Sequence, residues 1–116
     1  MPVKPGDKVL IAHRRLFEED LPRFFTGITE AYQDGLIRVS GFTWQHDMVR
    51  GEMVKKNDRR TKLISITSGM YICYCLPEYV NMESLYVIQQ GTTYVLTDGE
   101  AFSMDMTDRI TTGKFR

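Results

Sequence analysis

The sequence lacks a long apolar run. Its longest stretch without a charged residue extends from Leu63 to Pro77, and three hydroxyl residues and a glycine interrupt it between positions 65 and 69. A membrane-spanning helix needs about 20 mostly apolar residues, so the sequence predicts no membrane partner. The opening segment from Met1 to Gly6 lacks the apolar centre of a signal peptide. We therefore expect a cytoplasmic protein.

Cysteine is scarce, and its pattern predicts neither a disulfide nor a metal site. Only Cys73 and Cys75 are present, and residues two apart on a strand lie about 7 Å from each other, which disfavours a disulfide. His13 and His46 complete the set of soft-metal candidates, but a zinc site needs three or four convergent ligands. We expect both cysteines to be small core residues of a reduced chain.

Catalytic motifs are absent as well. No serine lies in a Gly-x-Ser-x-Gly elbow, and no glycine-rich loop of the P-loop or dinucleotide-binding kind occurs. His46 and Asp47 are adjacent, but neighbours on a strand point to opposite faces and rarely form a dyad. The sequence therefore predicts a protein that is not an enzyme, with no catalytic residues, no metal and no small-molecule cofactor.

Charge is distributed unevenly along a chain whose net charge is zero. Residues 63–108 contain six acids and no Lys or Arg, whereas residues 50–62 contain six bases and two acids. Three interpretations stay open. The basic stretch binds an outside anion, or it meets the acidic surface of another subunit, or it is a charged hairpin exposed to solvent.

Turn residues divide the chain into short segments rich in β-branched and aromatic residues. Gln33-Asp34-Gly35 and Asp98-Gly99 are typical of hairpin turns, which need positive φ angles. The flanking segments alternate with a period of two, as half-buried strands do. Strands are predicted near 8–13, 24–32, 36–44, 48–56, 61–67, 70–76, 85–90, 93–97 and 101–106.

Helix has few places in this sequence. Leu16–Leu21 and Pro77–Leu85 each predict one turn, the second with Pro77 at its first position. A length of 116 residues, with 42% apolar and 26% charged residues, fits one domain over 1–116. We predict an all-β domain, a small and strongly bent barrel with an inserted hairpin at about 45–62 and at most one or two single-turn helices.

Two short resemblances agree with a small barrel. Pro5-Gly6-Asp7-Lys8-Val9 resembles the start of many SH3-like barrels. The glycine-bearing segment Phe25–Ile28, followed by Tyr32–Val39, resembles the first motif of Sm-like barrels, and Val49–Val54 is similar to their second motif. The resemblance implies an SH3-like or Sm-like fold. We carry over the barrel alone and no residue roles.

Bases lie close to aromatic residues, a pattern typical of proteins that bind single-stranded nucleic acid. An exposed Trp44 beside Arg50 would stack on a base. We therefore predict a non-enzymatic binding module for RNA or single-stranded nucleic acid, with Trp44 as the stacking platform. Phosphate contacts are predicted from Arg14, Arg15, Arg50, Lys55, Lys56, Arg59, Arg60 and Lys62.

Methionine and aromatic residues also predict self-association. The chain has seven methionines, and Met with aromatic residues is typical of interface cores. Small barrels often cover their free strand edges by pairing between subunits. We expect a homo-oligomer. The alternative function is a structural or adaptor protein whose segregated charges serve self-assembly or a protein partner.

Overall fold

The structure, a computed structural model, describes residues 3–13, 23–47, 49–90 and 93–106. In these residues the predicted strands are all confirmed, with ends displaced by at most four residues. The described strands are β1 (Lys8–His13), β2 (Arg23–Gln33), β3 (Leu36–Asp47), β4 (Glu52–Lys55), β5 (Arg60–Ser65), β6 (Tyr71–Cys75), β7 (Tyr86–Gln90), β8 (Thr93–Thr97) and β9 (Ser103–Asp105).

The strands form two antiparallel sheets. The large sheet has the order β4-β3-β2-β1-β6, and β5 also pairs with β3; the small sheet has the order β7-β8-β9. One edge of β3 pairs with β2 along most of its length. The other edge pairs first with β5 and then with β4. Within the predicted hairpin at about 45–62, the end of β3 and β4 form an antiparallel hairpin. β5 then pairs with β3 as well, so this hairpin is part of the large sheet.

The expected barrel does not close within the described residues. β5 pairs with β3 and β6 pairs with β1, and no ladder among these strands joins β5 to β6. The all-β class is confirmed, and the architecture of the described residues is two packed sheets. Gly27 and Gly41 lie directly opposite each other on β2 and β3.

Close approach of two backbones explains these two glycines. A Cβ atom added at Gly41 would overlap the carbonyl oxygen of Thr26, and one added at Gly27 would overlap that of Ser40. Glycine within a strand commonly marks such a close approach or a tight bend. The predicted hairpin turn between β2 and β3 also follows the rule, since Asp34 and Gly35 have φ angles of 51° and 83°.

Both faces of the large sheet carry buried apolar residues. On one face the large and small sheets pack together, and we call their shared core the intersheet cluster: Leu10, Phe24, Trp44, Met53, Leu76, Val80, Leu85, Leu96 and Phe102. The other face carries the opposite-face cluster: Val3, Val9, Ile11, Phe25, Ile37, Val39 and Ile64. Alternation along β1 sends Leu10 to the first cluster and Val9 and Ile11 to the second.

A connection over residues 76–85 links the two sheets. Its single helical turn is the 3₁₀ helix Met82–Ser84, which Asn81 caps by accepting a bond from the amide of Glu83 at 3.1 Å. The predicted turn is thus present, but Asn81 begins it and Pro77 does not. The other predicted turn, Leu16–Leu21, lies outside the described residues. No helix in the described part of the chain has the length and hydropathy needed to span a membrane.

Candidate nucleic-acid interface

A groove lies where the small sheet stops covering the large one. Its volume is about 830 Å³. The floor is formed by the paired strands β2 and β3 around Gly27 and Gly41, two buried residues at which the backbones approach closely. Lys55 and Arg59 line one side, and residues of the 76–85 connection line the other. The groove therefore has a basic wall, and Glu83 and Glu100 contribute acidic groups elsewhere in its lining.

Phe42 is the aromatic residue of the basic wall. Its ring is half-buried, and the Lys55 ammonium lies 4.9 Å from the ring centre. The Arg59 guanidinium carbon lies 4.8 Å from the same point. These distances fall within the range of cation–π attraction. Two cations and one aromatic face therefore converge on a single spot.

Strand register explains why these residues meet. Lys55 on β4 is the partner of Trp44 on β3, so Lys55 shares a sheet face with Trp44 and with Phe42, two residues earlier. The amide of Lys56 donates to the carbonyl of Thr43 at 2.9 Å, which prolongs the pairing by one residue. The chain then turns through residues 57–59 and places Arg59 beside the same ring.

The opposite wall is held in place by three hydrogen bonds. The Lys8 ammonium donates to the carbonyls of Glu78 and Val80 at 2.5 and 2.6 Å. The carboxylate of Asp98 accepts from the amide of Asn81 at 3.0 Å. Tyr79 is 63% exposed and lines the groove. A second aromatic ring thus stands on a segment that is tied to both sheets.

The Asp98 carboxylate is the strongest polar anchor of this wall. It is 3% exposed, and it also accepts from the amides of Glu100 at 2.9 Å and Phe102 at 3.1 Å. The hydrogen bond from Asn81, followed by that from Glu100, lowers the pKa of Asp98 below its ordinary value of 3.8. The carboxylate is therefore charged at neutral pH, and it fixes the connection against the turn between β8 and β9.

Trp44 does not have the predicted exposed position. Its side chain is 2% exposed in the intersheet cluster. The ring stacks on Phe24 at a centroid distance of 5.3 Å and an interplanar angle of 14°. The indole N–H donates to the Thr26 hydroxyl at 2.8 Å. The expectation of an exposed platform is wrong, because the small sheet covers this part of the face and leaves the ring no surface for a base.

The structure separates the predicted bases into several places. Lys55 and Arg59 line the groove, whereas Lys56 is exposed and its charge acts on Lys62 on the other face of the sheet. Arg50 lies in the turn after β3, 3.8 Å from Asp47 and 3.9 Å from Glu52. Arg14 and Arg15 lie outside the described residues.

Arg60 and Lys62 lie on β5, away from the Phe42 ring. Arg60 pairs with Asp58 at 2.7 Å, and its hydrogen bond lowers the pKa of Asp58 below 3.8. Lys62 is the partner of Val39 and lies 4.8 Å over the ring of Phe25. Both Val39 and Phe25 belong to the opposite-face cluster. Lys62 therefore contacts the face that lies away from the groove.

The other reactive side chains do not assemble. Among the described residues, no group of three or more His, Cys, Asp or Glu is placed to hold a metal ion. Both cysteines are free. Cys73 packs against the opposite-face cluster, and burial, then the neighbouring Cys75, raises its pKa to about 11. Cys75 is exposed, so the expectation of a core position is wrong for this cysteine, which lies on β6 at the end of the large sheet.

Sequence reasoning missed Phe42 and Tyr79 as site residues. Phe42 and Trp44 share one sheet face, and alternation alone does not indicate where the cover of the small sheet ends. Tyr79 lies in a turn segment with no periodic signal. Comparisons of the chain with protein-family models, with curated proteins and with solved structures found no match. Function is therefore argued from the groove itself.

Proposed function

We propose that this protein is a non-enzymatic binding module for RNA or single-stranded DNA, and that the groove at Phe42 holds the strand. The observation that carries the proposal is the convergence of Lys55 and Arg59 on the Phe42 ring at 4.9 and 4.8 Å. Proteins that bind single strands without strong sequence preference combine cations with aromatic faces. The proposal gives the protein no catalytic residue, metal or cofactor.

Each of the three side chains has a separate part in binding. A base stacks on the Phe42 ring or on the planar guanidinium of Arg59, and such stacking is worth about 1–3 kcal/mol per base. The Lys55 ammonium takes a backbone phosphate as a point charge. Tyr79 on the opposite wall offers a second face for an adjacent base.

A single strand suits this groove better than a duplex. The Phe42 ring is half-buried, so a base has to leave its own stack to reach it. Bases of a duplex are stacked on both faces, whereas those of a single strand are free to turn outward. Because the chain has no net charge, we expect modest affinity that depends on this local cluster.

Binding is tested by fluorescence anisotropy with a labelled 20-nucleotide single strand at about 50 mM salt, where charge contacts are strong. Affinity should fall with added salt, and Lys55→Gln should reduce the slope of the log–log plot by about 0.7, the value for one phosphate contact on a single strand. Phe42→Leu should weaken binding at least fivefold while keeping the slope, because it removes about 1 kcal/mol or more of stacking.

Arg38→Gln is the matched control. Arg38 is an exposed arginine on the same strand as Phe42, but it pairs with Glu30 at 3.1 Å and does not line the groove. This variant should bind as the unchanged protein does. Equal losses in Arg38→Gln and Lys55→Gln would show a diffuse charge effect and would contradict the assignment of the groove. Absence of binding at low salt would end the proposal.

A structural or adaptor role is the second candidate, and the edge of β6 favours it. No described strand pairs with the edge of β6 that faces away from β1, and β6 has no charged residue. Ile72 and Tyr74 are 45% and 39% exposed on it. Natural edge strands are usually protected by charge or proline, so this edge fits pairing with a second copy. Light scattering should then give a homo-oligomer, and Ile72→Lys should lower its mass.

An unchanged monomer mass at about 100 µM for the original chain and for Ile72→Lys would contradict self-assembly. Charge reversal by Arg59→Glu and Arg60→Glu separates the two roles, because it should abolish nucleic-acid binding and leave an oligomer built on β6 intact. We also place the protein in the cytoplasm, which the two free cysteines support. Kinship with SH3-like or Sm-like barrels stays part of this proposal, supported by Gly27 on β2, where β2 and β3 approach closely.

A further inference from the structure

A second and smaller cleft opens on the opposite face of the large sheet. Its volume is about 220 Å³. Its apolar base consists of Ile11, Phe25 and Ile64, which are buried members of the opposite-face cluster. The polar side chains around it are those of His13, Arg23, Thr43, Gln45, Lys62 and Tyr71. A closed apolar base with a polar rim is the usual composition of a ligand site.

Lys62 is a half-buried cation at the rim of this cleft. Its ammonium lies 4.8 Å over the ring of Phe25. Burial, followed by the positive charges of Arg60, Arg23 and Lys56, lowers the pKa of Lys62 below its ordinary value of 10.5. The fold thus brings like charges together around a partly desolvated ammonium, which costs free energy unless an anion offsets it.

The described residues supply no such anion. No described carboxylate forms an ion pair with Lys62 or Arg23. Arg60 already pairs with Asp58 at 2.7 Å. Two cations therefore face one cleft, together with hydroxyl and amide groups that donate hydrogen bonds.

We propose that the cleft between Arg23 and Lys62 binds a small oxyanion of the phosphate class, either free phosphate or a terminal phosphoryl group. Its volume lies below the roughly 300–1,000 Å³ of pockets for organic ligands, so it suits a phosphoryl group and not a whole nucleotide. Arginine binds phosphate through two parallel N–H donors, and lysine adds a point charge. The inference goes beyond the groove at Phe42, which lies on the other face of the same sheet.

Inorganic phosphate is the probe for the first test. Amide shifts of the ¹⁵N-labelled full chain are followed while phosphate replaces chloride at constant ionic strength. Saturable shifts should occur on β2 and β5 around Arg23 and Lys62. Lys62→Gln should weaken phosphate binding at least tenfold, and the matched control Arg38→Gln should leave it unchanged.

Thermal stability supplies a second readout. Lys62→Gln removes one of the clustered like charges, so it should raise the melting temperature in chloride while it removes the stabilisation by phosphate. A variant that merely failed to fold would give the opposite sign in chloride. Phosphate shifts that never saturate, or that persist in Lys62→Gln, would overturn the proposal.

The chain's own acids provide a further check, because Glu18, Glu19 and Asp20 lie in the sequence between β1 and β2. A phosphate response that appears only after Glu18→Gln, Glu19→Gln and Asp20→Asn would also overturn it, since those carboxylates would then be the partners of the cleft.

The source of the phosphoryl group is resolved by comparing 5′-phosphorylated and 5′-hydroxyl oligonucleotides in the anisotropy assay. Tighter binding of the phosphorylated strand, lost in Lys62→Gln, identifies a nucleic-acid end as the ligand. Equal binding of both strands together with saturable inorganic phosphate binding identifies a free oxyanion. Since inorganic phosphate is tested without any oligonucleotide, this outcome is independent of whether the Phe42 groove binds a strand.

Discussion

Phe42 and Trp44 lie two residues apart on one strand and face the same side of the sheet, yet their surroundings differ completely. Trp44 stacks on Phe24 beneath the small sheet and satisfies its indole N–H. Phe42 lies just beyond that cover, beneath two cations. The small sheet thus divides one face into a closed part that stabilises the fold and an open part that is available to a ligand.

The largest expected effect concerns the closed part of this face. Trp44→Ala should cost about 3–5 kcal/mol of unfolding free energy, because it removes a buried aromatic ring and leaves a cavity. Phe42→Ala should cost clearly less, since part of its ring is already in contact with water. Urea unfolding of both variants is followed by circular dichroism. Tryptophan fluorescence is unsuitable, because Trp44 is the only tryptophan and Trp44→Ala removes it. A greater loss in Phe42→Ala would reverse the assignment of core and site.

The next prediction concerns the floor that the two parts share. Gly41→Ala should destabilise the protein by about 1–3 kcal/mol, the usual cost of overpacking, because its new methyl group would meet the Thr26 carbonyl. The sheet has to open at this point, so nucleic-acid affinity should fall with stability. The neighbouring Ser40→Ala is the control and should change little. A Gly41→Ala variant as stable as the original chain would contradict the close approach of β2 and β3.

A smaller effect is expected at the wall of the groove, where the Asp98 carboxylate makes stability depend on pH. The pKa of the folded Asp98 carboxyl lies below 3.8 because backbone amides donate to it, Asn81 first. These bonds therefore stabilise the fold above pH 3.8 and are lost as the pH falls through the lower, folded pKa. Asp98→Asn should lower the melting temperature at pH 7, and its difference from the original chain should shrink at pH 3. A difference independent of pH would contradict this role of the carboxylate.

The sequence predicted the strands well because their limits depend on local signals. Asp34-Gly35 has the positive φ angles that its hairpin requires, and alternation marks the two faces of β1. The hairpin at about 45–62 was predicted with residues 45–47 outside the strands. They continue β3 instead, and their backbone pairs with β4.

Long-range packing explains what could not be predicted. Trp44 is buried in one cluster with Leu96 and Phe102, which lie about 50 residues later in the chain. These residues come together only in the folded protein, so local sequence does not predict the exposure of Trp44. The sequence indicated the bases within residues 50–62, but it predicted Trp44 as their aromatic partner. The structure places Phe42 beside Lys55 and Arg59 instead.

Crosslinking tests the central claim most directly. A single-stranded RNA with 4-thiouridine is bound to the full chain at low salt, irradiated, and mapped by mass spectrometry. The groove predicts crosslinks at Phe42 and Tyr79 and none at Trp44. Crosslinks confined to β7–β9, or a bound strand that reaches Trp44 and not Phe42, would contradict the division of this face into a closed core and an open site.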